Sequence, residues 1–109
     1  MAEIYKNYGT RLSTTTETVV YPGVNGTAII NGIHVANIDD SNSAAISLIL
    51  AKSDTNSDQF YICKSTLVPI QSSYQALDTP IPLEANETLL AIASAENRLD
   101  VIVSVLEST

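Results

Sequence analysis

With a single cysteine, Cys63, the 109-residue chain cannot close a disulfide within itself, and the apolar residues around it suit a buried, inert thiol. One histidine, His34, leaves no imidazole pair for zinc. Tryptophan is absent, and Gly9, Gly23, Gly26 and Gly32 stand singly or at turns, so there is no glycine-rich phosphate loop. No apolar run approaches the roughly 20 residues of a membrane-spanning helix. The opening MAEIYKNYG has none of the apolar character of a signal peptide, so synthesis in a reducing cytoplasm is expected. Basic residues are scarce as well. Five against twelve acids give a net charge of −7, which argues against nucleic acid or an anionic membrane as partner, because both attract a positive field.

What remains is apolar and weakly charged. Hydrophobic residues make up 45% and charged residues 16%, a balance that folds but leaves little charge to solvate a free monomer. Part of the surface is therefore expected to be covered by a partner. The length allows one domain with one core.

The segment Thr27–Ile38, TAIINGIHVANI, reads as the central strand, since its β-branched isoleucines fit a pleated, largely buried surface. Strict alternation sets Ile30, Ala36 and Ile38 opposite Ile29, Ile33 and Val35, so both faces carry apolar residues. Gly32 marks a candidate bulge or close backbone contact. Before this strand, residues 1–10 show no clear period and read as an extended N-terminal arm anchored by Tyr5 and Tyr8. Residues 11–109 form the domain. Arg11–Tyr21 is threonine- and valine-rich, and Pro22-Gly23 with Asn25-Gly26 makes a tandem turn that would hand it to Thr27–Ile38 as an antiparallel neighbour.

Further strands are expected over Ala44–Lys52, Phe60–Lys64, a short run Thr66–Ile70 broken by Pro69, and Ser73–Leu77. Thr79–Glu84, with Pro80 and Pro82, is an extended edge piece that turns Ile81 and Leu83 inward. Thr88–Ser94 and Leu99–Leu106 follow, the last with Val101, Val103 and Val105 on one face. Seven to nine short strands punctuated by turns predict an all-β fold, an antiparallel β-sandwich of jelly-roll-like type.

The residues announce little chemistry. Asp54-Thr55-Asn56-Ser57-Asp58 has the oxygen spacing of half a calcium loop, but Gln59 stands where the turn needs glycine and Ser65 where the closing glutamate belongs. A solvated hairpin loop is favoured. Asp39-Asp40 with Asn42 likewise reads as a turn before it reads as a cation site. His34 has serines available but no G-x-S-x-G elbow, and Lys64 next to Cys63 points to the other face. No catalytic, metal or cofactor residue is therefore assigned. Tyrosines without tryptophan or clustering favour core or interface over a sugar site.

Three strings narrow the class: Ile33-His34-Val35-Ala36-Asn37-Ile38-Asp39, Pro82-Leu83-Glu84-Ala85-Asn86-Glu87-Thr88-Leu89, and Leu99-Asp100-Val101-Ile102-Val103-Ser104-Val105-Leu106-Glu107. In this order and spacing they resemble small virion structural proteins of tailed bacteriophages, cyanophages included, over about residues 12–107. The resemblance implies a virion location and a β-sandwich that serves as a non-enzymatic cement or decoration subunit. It implies homo-oligomers, a trimer favoured, that bridge neighbouring copies of the major capsid protein or another virion protein, with no cofactor. A neck or tail component, or a receptor- or glycan-binding fibre module using loops 39–43 and 53–58, is the alternative. Tyr5, Tyr8, Ile30, Ala36 and Ile38 are the expected interface residues.

Overall fold

Period-two alternation of apolar and polar residues sets the elements, and a computed structural model, which describes residues 3–52 and 58–108, shows them as strands throughout. They are β1 (Glu3–Arg11), β2 (Thr18–Tyr21), β3 (Thr27–Asn37), β4 (Ala44–Ala51), β5 (Gln59–Val68), β6 (Ser73–Gln75), β7 (Ile81–Leu83), β8 (Thr88–Ala93) and β9 (Leu99–Ser108). No helix occurs among the described residues. The protein is an all-β, antiparallel β-sandwich. One sheet runs β1-β9-β3-β6, with β7 pairing the same edge of β3 further along, and the other runs β2-β8-β4-β5.

The core lies between the sheets. Val101, Val103 and Val105 of β9 face Ile46 and Leu48 of β4 and Leu89, Ala91 and Ala93 of β8, all buried. Leu83 is buried on the β7 edge and Ile81 half-buried beside it, the inward pair expected of the proline-flanked segment. Pro82 costs the sheet little there, because an edge strand has one side free of ladder hydrogen bonds.

Two expectations about strand partners are corrected. Residues 3–11 form no projecting arm: they are β1, paired with β9 in unbroken register from Glu3↔Ser108 to Arg11↔Asp100. The weak apolar period of this stretch is that of an edge strand, which buries only part of one face. Nor is β2 a hairpin neighbour of β3. It pairs with β8 in the second sheet, so the turns at Pro22-Gly23 and Asn25-Gly26 carry the chain across the sandwich.

A third correction follows from a bulge. The register of β3 against β9 slips between Ile30↔Val105 and Gly32↔Ser104, leaving Asn31 as the extra residue. Parity therefore reverses along β3. Ile30 turns inward with Ile33 and Val35, each fully buried, while Ile29 is 40% exposed on the outside. Ile30, expected at an interface, belongs to the core. Bulges also break the β4–β5 ladder on both sides of Leu48, where Ser65 at φ 52° donates its backbone N–H to Ser47 Oγ (2.9 Å). Both extra residues lie on β5, since β4 pairs with β8 without a shift; Leu48 and Ile49 of β4 are both buried, and Phe60 and Tyr61 of β5 both exposed.

Candidate functional site

The outer face of the β1-β9-β3-β6 sheet carries apolar side chains that stand exposed among the described residues. Register places Tyr5, Leu106, Ile29 and Pro82 in one cross-strand row and Gly9, Ile102, His34 and Gln75 in another. A third row holds Arg11, Asp100, Ala36 and Ser73, and Ile38 follows the end of β3. Tyr5 is 78% exposed, Ile102 and Ile38 each 44%, and Ala36 is half-buried. Adjacent cross-strand side chains form a continuous surface, and this one mixes isoleucine and tyrosine with few charges.

At the β1 end of this face an open depression of about 230 Å³ is lined by Gly9, Thr10, Arg11, Asp100, Val101 and Ile102. Its wall is the Arg11–Asp100 pair, a two-pronged contact with Arg11 Nε donating to Asp100 Oδ1 at 2.7 Å and Nη2 to Oδ2 at 3.0 Å. Gly9 is part of the lining, and a Cβ added there would meet no atom within 4 Å.

Tyr8, the other tyrosine assigned to an interface, points the opposite way. Its ring meets Tyr21 edge to face, centroids 5.0 Å apart at 83°, and its hydroxyl donates to Glu107 Oε2 at 2.8 Å. The Tyr21 hydroxyl donates to the same oxygen at 2.9 Å, and Lys6 Nζ lies 3.1 Å from Glu107 Oε1. Burial alone would raise the Glu107 pKa, but the hydrogen bonds from Tyr8, Lys6 and Tyr21 outweigh it and hold the carboxyl below its ordinary range. Burial, helped by the adjacent carboxylate, drives the Tyr21 hydroxyl far above the ordinary phenol range. This buried cluster joins β1, β9 and β2, and so fixes the edge strand to both sheets.

Glu87 makes a second buried anchor. It accepts from the Glu84 N–H at 2.8 Å and pairs with Lys52 Nζ at 2.6 Å; burial opposes its ionisation, but Lys52 and the Glu84 N–H together keep its pKa low. Neither anchor was found from sequence, although the inward series Val101, Val103, Val105 extends to Glu107 by simple alternation.

Of the loop residues noted as candidate cation ligands, Asp39, Asp40 and Asn42 make contacts within the fold. Asp39 Oδ1 accepts from the Ser41 N–H at 2.9 Å and Oδ2 lies 2.9 Å from Arg98 Nε, contacts that hold its pKa below the usual carboxylate range despite partial burial. Asn37 clamps the same turn, donating Nδ2 to the carbonyls of Asn42 and Val68, both at 3.0 Å. No cluster of three or more metal-ligating side chains occurs among the described residues, and the Asp54–Ser57 part of the calcium-like string lies outside them. His34 is exposed on its strand, and Cys63 is half-buried with Sγ 3.8 Å from the Ile46 carbonyl oxygen.

A second apolar exposure sits on β5, the edge of the other sheet, and just beyond it. Phe60, Tyr61, Leu67 and Ile70 are exposed, and Lys64 Nζ stands 5.2 Å from the Tyr61 ring centroid.

Neither a protein-family model nor a curated sequence matches this chain. Among solved structures, 97% of the chain superposes on 88% of a chain from Bacillus endospore appendages, described as a novel family of disulfide-linked pili, with TM-score 0.56 and 8% identity. It also superposes, over 96% of its length, on a chain of the T13 IBDV viral particle, with TM-score 0.55 and 6% identity, and spans 31% of that chain. The two-sheet fold is thus similar to one found in a bacterial pilus and in an icosahedral virus particle.

Proposed function

We propose that this protein is a non-enzymatic structural subunit of a virus particle, a cement or decoration protein that binds neighbouring shell subunits and holds them together. The observation that carries this reading is the exposed apolar face that the described residues of the β1-β9-β3-β6 sheet present, where Tyr5, Ile29 and Ile102 stand on hydrogen-bonded strands and Ile38 just beyond β3. A flat, strand-borne surface costs little conformational entropy on docking, which suits adhesion to a repeating lattice. The fold's likeness to a domain-sized part of a viral particle chain and to a pilus chain supports an assembly role. Between those two settings Cys63 favours the shell: one thiol per copy can join two copies and no more, so disulfide links cannot run along a filament of this chain.

The mechanism is adhesive. The apolar face buries against shell subunits, and contacts repeated over the lattice add their small individual affinities. Particles produced without the protein should release their genome at a lower temperature, and adding back the purified protein should restore resistance. Particles equally heat-resistant with and without it would refute the cement role.

A further inference from the structure

We propose that two copies of this chain pair through β1, edge to edge and antiparallel, about a two-fold axis at Asn7. The contact deepens the assembly reading by naming its self-association surface. Its basis is the geometry and sequence of one strand.

Among the described residues β1 ends its sheet, so one side of its nine residues has backbone groups without a ladder partner there. The direction of those groups is fixed. Leu12 N–H donates to the Leu99 carbonyl at 2.9 Å, continuing the β1–β9 register by one residue. Alternation in an antiparallel ladder then points the even-numbered residues of β1 at β9 and presents the N–H and C=O groups of Glu3, Tyr5, Asn7, Gly9 and Arg11 to the free edge. A second β1 that presents the same set can close a ladder of hydrogen-bonded pairs.

The side chains choose the register. With the axis at Asn7, Glu3 lies opposite the partner's Arg11 at both ends, and Tyr5 lies opposite the partner's Gly9. All nine residues are then paired. Sliding the axis to Lys6 would set Lys6 against the partner's Lys6, and sliding it to Tyr8 would separate Glu3 from Arg11. Each shift also shortens the ladder.

The Tyr5–Gly9 pairing has a receptacle. Tyr5 is 78% exposed, and the 230 Å³ depression lined by Gly9, Arg11 and Asp100 is large enough to take an aromatic edge. An aromatic ring laid across a strand glycine covers backbone that glycine leaves bare. The match is self-complementary: each copy supplies one ring and one seat, as a two-fold contact requires. Charge does not oppose the contact: Lys6 and Arg11 lie on β1, each beside an acid of the same chain, Glu107 and Asp100, and Glu3 is the strand's only acid, so β1 itself adds no net negative charge to the seam.

The test uses purified full-length chain. Sedimentation should give a species of twice the 11.6 kDa chain mass. In a Cys63→Ser background, Asn7→Cys should form an intermolecular disulfide rapidly under mild oxidation, because directly paired strand residues fall within disulfide reach. Ser73→Cys, exposed on the opposite edge strand, should not. Gly9→Val adds atoms where the monomer has open space, so it should leave thermal stability unchanged or higher while weakening dimerisation about tenfold or more. Glu3→Arg and Arg11→Glu should each weaken it, and the double exchange should restore it. A monomer at every concentration, equal cross-linking of Asn7→Cys and Ser73→Cys, or dimerisation indifferent to Gly9→Val would each overturn the contact. A monomer that still decorates purified particles would overturn the contact and leave the assembly reading standing; a β1 dimer missing from particles would do the reverse.

Discussion

Glu107 is buried yet charged, and three donors explain how the fold keeps it so. Replacing it with glutamine removes the charge that Tyr8, Tyr21 and Lys6 address, and should cost about 2 kcal/mol of folding stability by denaturant unfolding. The same group predicts a pH dependence. Its folded pKa lies below the ordinary value of 4.5, as does that of Glu87, so both stabilise the fold above that value and cease to do so as pH falls through their folded values. Melting temperature should therefore drop on acidification below about pH 4.5, and the drop should be smaller in Glu107→Gln. Gly23 is the other residue with a sharp requirement. At φ 82°, an added Cβ would lie 2.6 Å from the Glu87 carbonyl oxygen, so Gly23→Ala should destabilise by about 2 kcal/mol or more, as thermal unfolding would show.

At the level of elements, most strands were legible because alternation survives in them: Val101, Val103 and Val105 turn inward as the pattern requires, and Ile81 and Leu83 flank Pro82 on an edge. Ile30 shows where that logic stops. Gly32 signalled an irregularity, but only the ladder against β9 reveals that Asn31 is the extra residue and that parity reverses upstream of it. The consequence is measurable: Ile30→Ala should cost about 2–5 kcal/mol in equilibrium unfolding, and Ile29→Ala under about 1 kcal/mol, the reverse of what uninterrupted alternation implies. β1 was harder to place, since Glu3–Arg11 buries little and its pairing partner lies at the far end of the chain. Of the expected contact residues, Tyr5, Ala36 and Ile38 do share the outer face, whereas Tyr8 serves the Glu107 cluster. Alternation alone sets Ile102 opposite the valines of β9, but its place beside Gly9 and His34 needs the sheet order.

For the whole molecule, the path of the chain matters as much as its strands. It crosses between the two sheets from β1 to β2, β2 to β3, β3 to β4, β5 to β6, β7 to β8 and β8 to β9, so nearly every pairing joins distant residues. Strand partners were for this reason not readable from neighbouring sequence, as the misplacement of β2 shows. Such a topology should fold slowly, on the order of milliseconds to seconds in stopped-flow refolding. Among the described residues the sandwich carries its spare apolar surface mainly on strand faces and edges, in a chain of net charge −7. That division suits a rigid adhesive piece. The most direct measurement is the number of copies in purified virus particles, by quantitative mass spectrometry against the major shell protein. The account predicts a fixed ratio close to one copy per shell subunit or per small group of them. Absence from the particles, or a handful of copies regardless of shell size, would contradict it.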